Sequence, residues 1–443
     1  MGLSDLIIIP VFIVIFHFLA SLWLPFLTNE RNQQYYFPAL YAKFLGAIAL
    51  GAVYQFYYGG GGDTYMYYTL GTSKIWAAFL EDPFIAFRII FGEMVYEGSA
   101  YIYQSQIYTY GDAASFFVVR LGGIFSILSA NSYGAISMGF AFVSFFGVWK
   151  LFLVFSETHP HIRTELAWGI LFLPSIFFWG SGLLKDSITL GALGFLIFSL
   201  YQLIEKRRNI FMNILIILIT VYILQLVKIY IMLALFPAII IWLYMKVNSN
   251  FSNQLLKWMV APAMILVFFF FGLLASQSFA EDSHRYSFDK VLITAEETAQ
   301  WNYYVSQIQS GSGYTLGDYD FSPTGLVRKF IPAVLTAIFR PTLIEARNPV
   351  MLMSAVENLV ILVLFILSVS KGNWRIVLSN RLVVVSIVFV LLFSFATGVT
   401  TYNFGALARY RIPMLPFLMF SLFYVYKSKT NHFYTLANEK AKQ

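Results

Sequence analysis

Residues 5–27, 132–155, 256–277 and 350–370 are apolar almost from end to end. A helix rises about 1.5 Å per residue, so each block is long enough to cross a hydrocarbon core about 30 Å thick. Only 12% of the residues are charged, about half the share found in a soluble domain. A water-soluble enzyme is therefore a poor fit, and a polytopic membrane protein is expected.

The charge balance agrees. Lys and Arg number 29 against 22 Asp and Glu, a net +7, but the basic residues mostly flank the apolar blocks, where they set orientation. No RNA-binding motif or basic aromatic platform is present, so no nucleic-acid partner is expected. With no cysteine in the chain, disulfides, thiolate metal sites and a cysteine nucleophile are excluded. The first block runs into TNERNQQ without a small-x-small cleavage pattern, and reads as a retained span rather than a signal peptide.

The basic segments 205–208, 246–257 and 371–381 and the tail 428–443 are assigned to the cytoplasmic side. Spans then fall at 5–27, 35–56, 132–155, 166–181, 187–204, 210–226, 229–246, 256–277, 350–370, 381–399 and 411–427. The stretch 113–130 carries Arg120 and a Gly pair mid-way, features that suit an interfacial or re-entrant helix better than a lipid-exposed span. The expectation is an all-α transmembrane bundle of about 11 spans, or 12 if 113–130 also crosses. Two long external loops, 57–131 and 278–349, carry amphipathic interfacial helices, and with no internal repeat the whole of 1–443 reads as one integral membrane domain. In this cysteine-free chain a cysteine placed at Asn302 or Thr315 should react with an impermeant thiol reagent from outside. One at Lys429 should not, and equal labelling of all three in sealed vesicles would refute the scheme.

The residues able to do chemistry sit near the external ends of spans, where an ionisable side chain is costly and starts as a site candidate. Asp63 in GGGGDTYMYY follows the span 35–56 directly. Glycines let a bulky ligand approach closely, and the carboxylate has two readings, a general base or the cap of the next helix. Lys185 and Asp186 in WGSGLLKDSITLG read as a phosphate contact and a helix cap, or as a snorkelling anchor and a cap. Arg409 and Arg411 flank Tyr410 in NFGALARYRIPMLPF. Arginine at an external span end runs against the positive-inside bias, and two guanidinium forks suit phosphate recognition.

Arg340, Arg347 and Glu357 occur in FRPTLIEARNPVMLMSAVENLVIL. Glu357 would lie roughly 10 Å inside its span and is expected to pair with an arginine of a neighbouring helix. Asp318 and Asp320 in YTLGDYDFSP suit a divalent cation or a sugar, though a solvated loop accounts for them better. No HExxH, Ser/His/Asp arrangement or phosphate-binding loop is present, and no metal ligand set is assigned.

An external Asp after an early span, an amphipathic segment, many further spans and a late external Arg together resemble the glycosyltransferase C superfamily. These membrane enzymes use sugars carried on a polyprenyl phosphate or diphosphate. GGGGDTYMYY resembles the family's first-loop acidic motif, which implies that Asp63 is the catalytic base. RYRIPMLPF resembles its late-span Arg-aromatic-Pro motifs, which implies that Arg409 and Arg411 contact the lipid phosphate. The acidic loop here follows the second span rather than the first, and Asp63 has no acidic neighbour. Lys185, Asp186, Arg340 and Glu357 complete the expected lipid-phosphate set, with Tyr65 and Tyr67 beside the sugar or prenyl chain. The expected partners are a polyprenyl-linked donor, a glycan, lipid or protein acceptor, and membrane lipids. No cofactor is required beyond a divalent cation if the aspartates bind one. The active site is expected on the external or periplasmic side of a multi-pass protein of the inner or plasma membrane. The alternatives are an O-antigen polymerase or ligase working through 278–349, and a transporter or flippase of lipid-linked glycans.

Overall fold

The computed structural model describes residues 2, 4–92, 97–250, 291–308, 312–317 and 321–440. Among these the chain is helical throughout and forms no strand. It makes two compact units, Met1–Ile229 and Tyr230–Gln443, in a sequence that shows no internal boundary.

The first unit holds α1 (Asp5–Leu27), α2 (Glu30–Ala52), α3 (Asp63–Tyr67), α4 (Ser73–Glu81), α5 (Pro83–Phe91) and α6 (Ser99–Gln104). It continues with α7 (Ala113–Leu128), α8 (Tyr133–Thr158), α9 (Arg163–Leu166), α10 (Pro174–Trp179) and α11 (Lys185–Tyr201), and α12 (Ile210–Asn250) begins in it. The core is α8, buried along nearly its whole length, as expected of a helix apolar on every side.

Side-chain contacts sort the helix ends. Asp5, at the start of α1, accepts hydrogen bonds from the Gly134 amide at 3.2 Å and from the Ser132 hydroxyl at the start of α8. The Thr64 hydroxyl lies 2.8 Å from that of Tyr133, and the Tyr67 hydroxyl 3.4 Å from that of Ser115. Lys185, at the start of α11, meets Asp112, which precedes α7. At the far end the Asn29 amide donates to Glu157 at 3.0 Å, and the Trp149 indole to the Leu27 carbonyl at 3.0 Å. One end of this unit thus gathers the starts of α1, α7, α8 and α11 with the loop that leaves α2.

The second unit holds the rest of α12, then α13 (Val291–Ile308), α14 (Pro323–Phe339), α15 (Pro349–Lys371), α16 (Arg381–Thr400), α17 (Phe404–Tyr410) and α18 (Leu415–Lys440). At one end the Ser368 hydroxyl donates to the Leu422 carbonyl at 3.0 Å, and the Asn373 amide to Ser428 at 2.9 Å. At the other, the Tyr314 amide donates to the Tyr402 carbonyl at 3.1 Å, which ties the 312–317 segment to the turn between α16 and α17.

Among the described residues seven helices are long and apolar enough to cross a membrane: Asp5–Leu27, Glu30–Tyr57, Tyr133–Thr158, Lys185–Lys206, Ile210–Asn248, Pro349–Lys371 and Arg381–Thr400. The expected crossings that do not appear here as separate spans have different reasons. The segment 166–181 is no single helix, because a wide turn at Ala167–Leu171 and Pro174 divide it into short pieces. The blocks 210–226 and 229–246 are two helices that meet at a kink at Lys228, where φ is −151° and ψ 74°, the position of the expected break between them. The block 411–427 begins with a 3-10 turn at Ile412–Met414 before α18, and 256–277 lies outside the described residues. The segment 113–130 forms α7, shorter than any of the seven. Its Arg120 lies 4.4 Å from the Phe116 ring centroid and donates to the Gly92 carbonyl at 2.5 Å.

Candidate functional site

The glycine run is built for a reversal. Gly59, Gly60 and Gly62 have φ of +64°, +80° and +80°, values that side chains disfavour. A Cβ on Gly62 would also come within 2.5 Å of the Tyr54 ring. Gly62 occupies the cap position of α3 and Asp63 its first turn, with no side-chain cap bond. A carboxylate in the first turn suits the positive end of the helix, and Asp63 is partly exposed there.

The tyrosines behind it are buried. The Tyr65 ring stacks on Tyr133 at 4.6 Å and 10°, and its hydroxyl donates to Gln55 at 2.9 Å. Burial pushes the Tyr65 phenol well above its usual range. Tyr67 turns inward to Ser115. The rings exposed beside the glycine run are instead Phe56, Tyr57 and Tyr58, a cluster visible in the sequence as QFYYGGGG and not singled out from it.

From Tyr67 the contacts lead to a second group of charges. Ser115 donates to Asp112, which caps α7 through the Ala114 amide at 3.2 Å and receives Lys185 Nζ at 3.2 Å. Burial alone would raise the Asp112 carboxyl, but the Ser115 hydroxyl and the Lys185 ammonium outweigh it and hold the pKa below the ordinary carboxylate range. The Lys185 side chain is 20% exposed. Its neighbour Asp186 faces the other way, buried, with Lys228 Nζ at 2.5 Å. Asp112 and Lys228 are the residues the sequence reading missed. The first carried a capping signal in GDAAS, and the second stood as a lone Lys inside an apolar run.

A third cation supports this region. Lys43, buried within α2, donates to the carbonyls of Gly180 at 2.7 Å and Ile176 at 3.2 Å, and to the Ser144 hydroxyl at 3.2 Å. Two of these acceptors belong to the end of α10, where helix carbonyls lack intrahelical partners.

In the second unit Arg411 has a guanidinium with no exposed surface and lies 3.4 Å from the equally buried Glu357. Its Nη1 donates to the carbonyls of Ala337, Ile338 and Arg340 at 3.3, 3.3 and 3.4 Å, so it closes the C-terminal end of α14. Arg340 is more open. Its guanidinium lies over Phe404 at 5.0 Å and Tyr314 at 5.6 Å, and its Nε donates to Glu345 at 2.9 Å. Burial raises the Glu345 carboxyl, but the Arg340 fork and the Thr342 amide and hydroxyl outweigh it and lower the pKa. Arg409 lies nearly buried on α17, 6.0 Å from the Tyr410 ring centroid.

Within their own units, then, Asp63, Lys185 and Asp186 lie on elements joined by direct contacts, and so do Arg340, Glu357, Arg409 and Arg411. Asp186, Glu357 and Arg411 face protein partners, whereas Lys185 and Arg340 keep open surface. No three His, Asp or Glu side chains come together as metal ligands among the described residues; Asp318 and Asp320 lie outside them. No protein-family model, curated protein or solved structure matches the chain.

Proposed function

We propose that the chain is a membrane glycosyltransferase of the glycosyltransferase C type. It moves a sugar or glycan from a polyprenyl phosphate or diphosphate to an acceptor hydroxyl at the external face. The observation that carries this reading is the gathering, at one end of the first unit, of Asp63, partly exposed behind a glycine reversal, and Lys185, whose side chain is 20% exposed. Two such groups suffice for displacement at an anomeric carbon. Asp63 takes the proton of the acceptor hydroxyl as the new C–O bond forms. Lys185 neutralises charge on the departing phosphate, exchanging Asp112 for it. Within the second unit, taken by itself, Arg340 and Arg409 are a separate candidate for phosphate, and Arg411 and Glu357 brace the helices that bear them.

The reading includes about 11 crossings, with 256–277 and 411–427 among them and the Asp63 end facing outward. A second reading, a transporter of lipid-linked glycans, draws support from the bend at Lys228 and its buried ion pair, since transporters use broken helices and buried charges. One assay separates the two. The purified chain in detergent, given a polyprenyl-phosphate-linked sugar and a hydroxyl acceptor, should form the glycoside and release polyprenyl phosphate. Arg409→Ala should weaken donor binding by about 1.5–3 kcal/mol. Translocation of the lipid in vesicles without glycoside formation would overturn the enzyme reading.

A further inference from the structure

Two helices of the α12 path meet at Lys228, whose dihedrals are not helical. A junction of two helices leaves backbone groups without intrahelical partners. Burying an ion pair is no general source of stability either, because apolar residues of similar volume often serve as well or better. Yet Lys228 and Asp186 are both almost fully buried and 2.5 Å apart. Two costly features coincide at one residue, so the pair has to do something that a leucine and a methionine would not.

What it holds is the start of α11. Leu184, at the cap position, provides no side-chain cap bond, and the preceding turn is closed by Ser187, whose hydroxyl donates to the Gly182 carbonyl at 2.7 Å. Neighbouring residues on a helix point about 100° apart. With Asp186 drawn inward to Lys228, Lys185 is turned toward Asp112 and open surface. Lys43 holds the chain just before this turn, through the carbonyls of Ile176 and Gly180.

We infer that Lys228 is a positioning residue: through its buried bond to Asp186 it fixes the rotation of the α11 start and thereby presents Lys185 to an anionic phosphate. The phosphate rests on the function proposed above; the orientation of Lys185 does not, and the test separates them.

The first arm needs no substrate. A cysteine at position 185 (Lys185→Cys) is labelled by an impermeant maleimide, with Asn302→Cys as control, in backgrounds carrying Lys228, Lys228→Arg, or Lys228→Met with Asp186→Leu. The apolar pair should change the labelling rate at 185 by about tenfold, the scale of one charge-assisted hydrogen bond. The rate at 302 should stay constant, and Lys228→Arg should stay near the wild-type rate. An unchanged rate at 185, or equal changes at 185 and 302, overturns the inference. The second arm uses a polyprenyl-phosphate donor with Lys185 intact. The apolar pair should raise donor KM and lower kcat together, because a misplaced Lys185 loses both the bound and the departing phosphate, whereas misfolding lowers the active fraction without moving KM. A fall in kcat at constant KM counts against positioning. A wild-type chain inert toward that donor would sink the glycosyltransferase reading and leave the labelling result to decide the inference.

Discussion

Asp63→Asn is expected to lower turnover by about 10²–10⁴-fold, the usual contribution of a general base, with expression and donor binding unchanged. The substitution keeps the shape of the side chain and removes its basicity. The cap position of α3 belongs to Gly62, and an Asn side chain accepts hydrogen bonds at a helix start about as well as Asp. The lost attraction between a first-turn carboxylate and the helix dipole is worth about 0.3–1 kcal/mol, too little to unfold a helix held by the Tyr65–Tyr133 stack and the Thr64–Tyr133 hydrogen bond. Initial rates and donor binding on the same preparation check this. Retained turnover would reduce Asp63 to a first-turn acid and favour an enzyme that works through 278–349.

The helical character of the chain was legible because it follows from length and apolarity alone, with no knowledge of contacts. Interruptions were less so. Hydropathy reads 166–181 as one span, and Pro174 is the only local hint otherwise. What stabilises the break comes from residues more than 120 positions away in sequence: Lys43 on the carbonyls of α10, and Gly46, where an added Cβ would lie 1.8 Å from the Phe177 carbonyl oxygen. Likewise the lone Lys228 was visible, but that its partner is Asp186 depends on how α11 and α12 pack.

The site residues divide in the same way. The glycine run reads as room for a ligand, and the structure shows it also makes a reversal with three positive φ values. The tyrosines after Asp63 looked available to a sugar because pattern cannot say which face of a five-residue helix meets Tyr133 and Ser115. The expectation that Glu357 pairs with an arginine rested on depth alone, since a lone carboxylate there is untenable. That the partner is Arg411, four residues before α18, required the fold. Arginine at a span end against the usual charge bias signalled that something holds it in place, and could not tell a bound phosphate from a protein carboxylate.

Arg411→Met is accordingly expected to destabilise the protein by about 3–5 kcal/mol, the cost of stranding one member of a buried ion pair. The guanidinium has no exposed surface and the Glu357 carboxylate 1%, so water cannot replace the lost partner. The same change uncaps α14 by removing a donor from the carbonyls of Ala337, Ile338 and Arg340. Adding Glu357→Leu should recover a large part of the loss, because the uncompensated charge disappears while the uncapped carbonyls remain. Arg411→Lys should fall between, since an ammonium lacks the fork that reaches carboxylate and carbonyls together. Thermal unfolding in detergent gives the order: wild type, then Lys, then the double variant above Arg411→Met alone. A double variant less stable than Arg411→Met would refute the ion-pair account. Wild-type stability in Arg411→Met with a selective loss of donor affinity would return Arg411 to the lipid phosphate.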